Sequence, residues 1–582
     1  MNEYNMDGPI AYYLATGDPA LGRRLATMAV GWMQGVVNYY LKQEGHTSSF
    51  GKAPHGTKNF FDSMLNLTDA ALFADAMTDE ERERIRAQAA FLGYVVQRPD
   101  YWSPARGFGA NPNMTTFVAG FQTTIGCLIS SHPLARTWVS EGLWLEAPHY
   151  AMASYDQISA CFLMARNAGF ADHVFDPRMK KIAEWFAKIS TPPDARLKGW
   201  RHLPPIGNTY KFEPSSEFGH VASIWKERDP AFAAEMQWMF LQQGAQKMPS
   251  VGGFPAAFAG YRGLFIDTNI AAKAPAYGSE LFPENGVVLR NAYPSERETM
   301  LHMIAGSHYQ HYDYDSGSIT LWGKGRIVAD EFGYYDRAPV ADQSMLETPL
   351  SSGLDMRIKE FAPSQQFDYV RGVLGGWTRQ IAFIKDSDPL APNYFVICDT
   401  LSKPAPATWR LWLTCTQVTL SAQGALVAGQ EDVDTDVFFT RPAQVKLLTE
   451  EKTRKTYGLN TNAVYCQTQW TQTGLIATQA HGLGFTAVLY PRLKSEPPPK
   501  FTALADGQAV RVQTPAGTDY VFLSAEPFSF KEGDIAFTGT VGAIQTRGNG
   551  VILSLGAAGS IAAHGHCLAA DKAAGATQGK IK

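Results

Sequence analysis

Between His308 and Asp315 the chain reads His-Tyr-Gln-His-Tyr-Asp-Tyr-Asp. Two imidazoles (His308, His311), three phenols (Tyr309, Tyr312, Tyr314) and two carboxylates (Asp313, Asp315) crowd into this short stretch. Groups that titrate on both sides of neutrality, packed so tightly, suit proton transfer or metal ligation. The same composition also suits a polar hairpin edge on which aromatic and charged residues alternate without a chemical role. An alternating run, Ile319 to Trp322, follows directly; a Gly-rich turn, Gly323 to Gly325, leads into a second run that ends on Asp330. The segment is therefore expected at the mouth of a β-hairpin.

Three further stretches carry residues of the right kind. In Glu141-Gly-Leu-Trp-Leu-Glu146-Ala-Pro-His149-Tyr150, a Tyr stands beside a His and close to a Glu. Such a loop between two helices can reach into a cleft, or it is a Pro-containing turn with an amphipathic Tyr packed at its rim. Gly109-Ala-Asn111-Pro-Asn113-Met-Thr115 opens a helix. Its Asn is an ordinary helix cap, or an amide that hydrogen-bonds a substrate carboxylate. Leu203-Pro-Pro-Ile-Gly-Asn-Thr-Tyr210 is turn-rich and is expected as a surface loop, one that could line the same mouth.

The elements that must position these residues change character along the chain. Residues 1–262 read as helical. Thr78-Asp-Glu-Glu81 is a capping box ahead of a helix reaching about Val95. Asp176-Pro177 supplies a cap and a first-turn proline, and Met179, Ile182, Phe186 and Ile189 then mark one apolar face. Further helices are expected near 19–42, 60–76, 114–131, 151–168 and 229–245. From 263 to 494, runs such as Gly286–Arg290, Ile381–Ile384, Tyr394–Cys398 and Trp409–Cys415 alternate with turn residues and predict antiparallel sandwich sheets. Ser495-Glu-Pro-Pro-Pro499 separates a last sheet over 500–567, and the small, polar tail 568–582 is expected to be disordered. Helices first and strands second make an α+β multidomain chain.

Composition removes some classes of function. The chain has 582 residues, 45% of them hydrophobic, and a formal net charge of −4. That balance offers no basic field for nucleic acid. An anionic substrate would have to be gripped by a local site rather than a bulk field. The 13 Trp and 24 Tyr suit a carbohydrate cleft and suit large buried cores equally. Six scattered cysteines without a CxxC pair read as buried free thiols. No window reaches the length of a transmembrane helix, so no membrane partner is expected. The start, MNEYNMDGP, lacks the basic and apolar regions of a signal peptide. A periplasmic or secreted location would need a leader ahead of it; otherwise a cytoplasmic one is expected.

Together these segments resemble the heparinase II/III-like polysaccharide lyases, a superfamily that also holds alginate lyases. The matching motifs are Glu146-Ala-Pro-His-Tyr150, His311-Tyr-Asp313-Tyr-Asp315, Asp330-Glu-Phe-Gly333, Arg379-Gln-Ile-Ala-Phe-Ile-Lys385, Tyr394-Phe-Val-Ile-Cys-Asp399 and the Pro-Pro-x-Gly-Asn loop. They span roughly residues 100 to 400 in shared order. The resemblance implies an N-terminal incomplete α/α toroid followed by antiparallel β-sandwich domains, with the active site in the cleft between them. It implies an acidic, uronic-acid-containing polysaccharide as substrate, glycosaminoglycan or alginate in type.

Such lyases eliminate across C4 and C5 of a uronic acid. The C5 proton is acidic only because it lies beside a carboxyl group, and an ionised carboxylate is a poor electron sink until hydrogen bonds or positive charge neutralise it. A base then takes the C5 proton and an acid protonates the departing O4. Tyr suits the second role, since its unperturbed pKa of about 10 keeps it protonated at neutral pH. The resemblance implies Tyr150 as general acid and candidate base, His311 as base or partner, and Asn113 as carboxylate neutraliser. Asn111, Glu146, His149, His308, Tyr312 and Tyr314 are implied as substrate contacts, with Glu146 orienting its loop. The family often carries one structural divalent ion. The ion would be zinc or calcium; Asp330 matches one ligand position, and Asp313 stands where a His is common, so that an oxygen-rich set would favour a harder ion or weaken zinc. No organic cofactor is implied.

Two other functions compete. A toroid glycoside hydrolase needs an acid and a base carboxylate in a pair; Glu146, Glu213 and Glu217 are available, but no pair is marked by spacing. A non-catalytic glycan-binding protein needs neither.

Overall fold

The helix Asp79–Val96 shows how the N-terminal half is built. The Thr78 hydroxyl accepts from the Glu81 amide, and the Glu81 carboxylate accepts from the Thr78 amide at 2.9 Å, which is the capping box expected from sequence. Arg23 pairs with the same carboxylate and is the main reason it is pulled down to about 2. Ile85, Ala89, Leu92 and Val96 then fall on one face and are buried.

In this computed structural model the described residues are 7–42, 64–98, 112–135, 147–215, 217–245, 265–283, 285–306, 313–335, 338–351, 355–460, 465–548 and 550–580. The other described α-helices are Asp7–Thr16, Pro19–Lys42, residues 64–73, Pro112–Leu128, Pro148–Asn167, Pro177–Ile189, Phe218–Trp225 and Pro230–Gln242. Two apolar clusters hold the helices that precede residue 168. One joins Met33, Val36, Leu92, Phe121 and Ile125; the other joins Ile10, Leu25, Ala29, Leu67 and Ile85. Among the described residues no helix is long and apolar enough to cross a membrane.

The chain divides into two compact units, and the division does not fall at a single point in sequence. The helical unit is Met1–Ala187 with Glu213–Ala274; the sheet unit is Lys188–Phe212 with Pro275–Lys582. Residues 188–212, which the sequence groups with the helices, therefore pack with the strands. The Leu203–Tyr210 loop, expected at the surface, is buried throughout. Tyr210 stacks on Tyr334 at 4.9 Å, and Lys211 joins residues 457–459 by main-chain hydrogen bonds.

The strands in chain order are β1 (Glu280–Phe282), β2 (Gly286–Asn291), β3 (Thr299–Met303), β4 (Ile319–Gly323), β5 (Arg326–Ala329), β6 (Leu346–Glu347), β7 (Arg357–Ala362), β8 (Phe367–Leu374), β9 (Trp377–Ile384), β10 (Tyr394–Leu413), β11 (Cys415–Ser421), β12 (Gly424–Gly429), β13 (Val433–Arg441), β14 (Lys446–Leu459) and β15 (Tyr465–Leu493). They form one 15-stranded sheet whose main path runs β1-β2-β3-β4-β5-β10-β15-β13-β12-β11. All its pairings are antiparallel, as the alternating runs predict. Its core includes Leu301, Leu321, Trp377, Phe395, Trp409, Leu411 and Phe439. The β4–β5 hairpin closes at Gly325 with φ +78°; a Cβ there would stand 1.8 Å from the Glu296 carbonyl oxygen, so only glycine fits.

A second, 8-stranded sheet follows: β16 (Lys500–Leu504), β17 (Ala509–Thr514), β18 (Gly517–Glu532), β19 (Ile535–Arg547), β20 (Gly550–Leu555), β21 (Gly559–Ala563), β22 (His566–Ala570) and β23 (Ala574–Lys580). It shares a core with the first sheet, where Val510, Val521, Leu523 and Val541 meet Tyr369, Val396 and Tyr490. The Tyr394 hydroxyl donates to Asp519 at 2.9 Å across this junction. The tail expected to be disordered is not: β22 pairs β21, and β23 lies along β20. The reason is that β20 would otherwise offer an unpaired edge, and backbone hydrogen bonds there do not require an apolar partner sequence.

Candidate functional site

In the helical unit, the helix Pro148–Asn167 opens on a proline whose missing N–H and fixed φ suit a first helical position. His149 and Tyr150, expected on a loop, therefore lie in the first turn of this helix. Both are buried, and their rings meet edge to face at 5.1 Å. His149 Nδ1 lies 2.7 Å from Glu213 Oε1, and neither side chain is more than 1% exposed. With a carboxylate as its partner, the Nδ1 of His149 is the donor in this contact. Glu217 is buried at the start of the helix Phe218–Trp225. Asn113 is the second residue of the helix Pro112–Leu128. Asn111 and Glu146 lie outside the described residues.

In the sheet unit, His308, His311 and Tyr312 also lie outside the described residues. The three residues after them are described. Asp313 Oδ1 accepts the Ala338 amide at 2.9 Å. Tyr314 is 59% exposed. Asp315 is fully buried, and burial followed by the charge of Asp313 raises its carboxyl well above the usual range. Glu331 is raised in the same way, by burial and then by Asp315 and Asp313. In both, burial and neighbouring like charge oppose ionisation.

Asp330 stands in a different setting. Its Oδ1 accepts the Glu331 amide at 3.0 Å. Its Oδ2 lies 2.5 Å from Lys211 Nζ and 3.4 Å from Arg196 Nη2. Arg196 in turn holds Asp194 at 2.7 Å, and Asp194 receives His202 Nε2 at 3.2 Å. Burial alone would raise the Asp194 carboxyl, but Arg196 and His202 outweigh it and hold it well below the usual range. Gly333 turns the chain away with φ +85°, its would-be Cβ 3.3 Å from the Lys211 nitrogen.

This geometry bears on the expected metal. Among the described residues, no group of three His, Cys, Asp or Glu side chains is placed to hold an ion. Asp313 spends an oxygen on a backbone amide, and Asp330 faces two cations of the chain itself. The two aspartates do not fit a shared divalent ion.

Three participants escaped the sequence reading: Glu213 as the partner of His149, and Lys211 and Arg196 as the partners of Asp330. Glu213 and Lys211 stand close together in Tyr210-Lys-Phe-Glu213, a pair of charges in an otherwise apolar stretch. That isolation was the available signal.

No protein-family model matches the chain, and no curated protein matches it in sequence. Solved structures do. Heparan sulfate lyase HepC from Pedobacter heparinus matches with a TM-score of 0.59 at 13% identity, over 90% of this chain and 82% of that one. A heparinase III gene product matches at 0.58 and 14%, covering 94% and 84% of the two chains. Another heparinase III structure matches at 0.57 and 12%, covering 89% and 82%. The fold is that of the heparinase-type lyases, in agreement with the resemblance carried by the motifs.

Proposed function

We propose that this protein is a polysaccharide lyase that cleaves a uronic-acid-containing polysaccharide by β-elimination and leaves an unsaturated uronyl end. The observation that carries this reading is the buried Tyr150–His149–Glu213 cluster in a chain of heparinase-type fold. We read the helical unit as an incomplete α/α toroid and the sheet unit as β-sandwich domains.

In this reading Tyr150 protonates the departing O4, and for one uronate stereochemistry it also takes the C5 proton. His311 is the base for the other stereochemistry. Asn113 hydrogen-bonds the substrate carboxylate and makes C5–H acidic. Glu213 is a positioning residue: it accepts from His149 Nδ1 and holds that ring against Tyr150. Asn111, Glu146, His149, His308, Tyr312 and Tyr314 contact the sugar, and the exposure of Tyr314 supports its part. Glycosaminoglycans are the first substrates to test, because heparan sulfate is the substrate named for the matching HepC structure.

The test is a panel of heparan sulfate, other glycosaminoglycans and alginates, read by the ultraviolet absorbance of the unsaturated uronyl product. Growth of that absorbance, lost in Tyr150→Phe, is the expected result. New reducing ends without the chromophore would make the protein a hydrolase instead. Glu213, one of the carboxylates available to a hydrolase, is committed to His149 at 2.7 Å, which favours the lyase over that alternative.

A further inference from the structure

The carboxylate of Asp330, where the family resemblance calls for a divalent ion, already has a positive charge built into the chain. Lys211 Nζ donates to Asp330 Oδ2 at 2.5 Å and to the Glu331 carbonyl oxygen at 2.5 Å, and it lies 5.5 Å from the centre of the Trp470 ring. Two of its three protons are thus assigned to oxygens, with an aromatic face within cation–π range. We propose that Lys211 is a covalently tethered replacement for a structural metal, and that Asp330 binds no divalent ion.

Charge supports this. Lys211, Arg196, Asp330 and Asp194 form a cluster of two cations and two carboxylates, buried except for the 11% exposed Arg196 and neutral as it stands. A divalent ion added to it would leave two uncompensated positive charges in the interior, where charges are tolerated only in pairs. Geometry agrees. Zinc and calcium sit about 2.0–2.6 Å from carboxylate oxygens, which is the space that Lys211 Nζ fills. The other oxygen of Asp330 is committed to the Glu331 amide at 3.0 Å.

The lysine is also held from its backbone. The Lys211 amide donates to the Tyr457 carbonyl at 3.2 Å, and the Leu459 amide donates to the Lys211 carbonyl at 3.0 Å, which forms a parallel bridge opposite Gly458. A Cβ at Gly458 would stand 2.3 Å from the Lys211 oxygen, so this approach needs the glycine. Lys211 therefore joins three separate pieces of chain: its own segment, residues 330 and 331 through its ammonium, and β14 through its backbone. A bridging metal would perform the same task.

The experiment uses the purified full chain. It is dialysed against zinc and against calcium, analysed by plasma mass spectrometry, and unfolded thermally with and without EDTA. We expect far less than one equivalent of either metal and an unchanged Tm in EDTA. Lys211→Met should lower Tm by several degrees, and adding Asp330→Asn should recover part of that loss, because an amide no longer leaves a buried carboxylate unpaired. One retained equivalent of zinc or calcium, with an EDTA-induced fall in Tm that Asp330→Asn abolishes, would overturn the proposal. If Lys211→Met does not fold, the metal content and chelator response of the unmodified chain decide by themselves.

Discussion

Arg379 and Asp399 stand directly opposite each other on β9 and β10 and meet in a two-pronged ion pair, with Nε to Oδ1 at 2.8 Å and Nη2 to Oδ2 at 2.9 Å. Trp377 Nε1 donates to the same carboxylate at 2.8 Å. The remaining Arg379 nitrogen donates to the Gly317 carbonyl at 2.6 Å. This buried pair thereby fixes the turn that follows Asp313 and Asp315. Both members belong to motifs that carry the family resemblance, and here they form a buried pair inside the sheet.

Breaking that pair should be expensive. Arg379→Met or Asp399→Asn leaves a partner charge buried and alone, which costs about 3–5 kcal/mol. Urea unfolding should show a loss of that size for either single change and a smaller loss for the double change than the sum of the two. Additive losses would mean that the pair is not the unit of stability.

The buried His149–Glu213 contact predicts a graded effect on catalysis. Tyr150→Phe should lower kcat by about 100- to 10,000-fold, the usual contribution of a positioned proton donor or acceptor. Glu213→Gln keeps the shape but can present its amide to Nδ1, which favours the other tautomer. It should lower kcat by a smaller factor and alter the pH profile, while circular dichroism stays unchanged. An unaltered profile would leave Glu213 with a packing role only.

His302 predicts how acid weakens the fold. Burial, then the nearby Arg290 charge, pushes its pKa down to about 4. The unfolded chain binds the proton near the ordinary value of about 6.5, whereas the folded chain does so only near 4. Its contribution is therefore complete above about 6.5 and is lost as pH falls toward 4, by roughly 3 kcal/mol at most. His220, pushed down to about 4 by burial, acts in the same direction. Unfolding free energies of His302→Gln and the unmodified chain, compared at pH 7 and pH 4.5, should converge at the lower pH. A constant difference would exclude this linkage.

The C-terminal strand makes a simpler prediction. Deleting residues 572–582 removes β23 and bares the β20 backbone from Gly550 to Leu555. Hydrogen exchange at Val551 and Leu553 should accelerate and aggregation should increase. Unchanged protection would show that β23 contributes nothing to the sheet.

What the sequence made legible was local. The capping box at Thr78 and Glu81, the alternation through Ile319–Trp322 and the glycine turn at Gly325 each rest on neighbours a few residues apart, and each matches the structure. Tyr150 was misplaced onto a loop although Pro148 was there to signal a first helical turn. The polar partnerships were hidden for another reason. Lys211 lies 119 residues before Asp330, and His149 lies 64 before Glu213. No spacing rule spans such gaps, and a single lysine amid aromatic residues looks alike whether it meets water or a carboxylate. The tail misled through composition: Ala, Gly and Lys have little preference for strands, and an edge in need of hydrogen bonds overrides that preference.

The strap 188–212 interrupts the helical unit in sequence, and this has a consequence for synthesis. Lys211 leaves the ribosome 119 residues ahead of Asp330. At about 5–20 residues per second this is a wait of roughly 6 to 24 seconds. Throughout it, Leu203, Ile206 and Tyr210 have no sheet to cover them, while the helices on either side can already associate. A fragment ending at residue 262 would keep this exposed loop permanently, and so should be sticky however well its helices form. The protein must be handled, truncated and expressed as a chain whose middle belongs to its end.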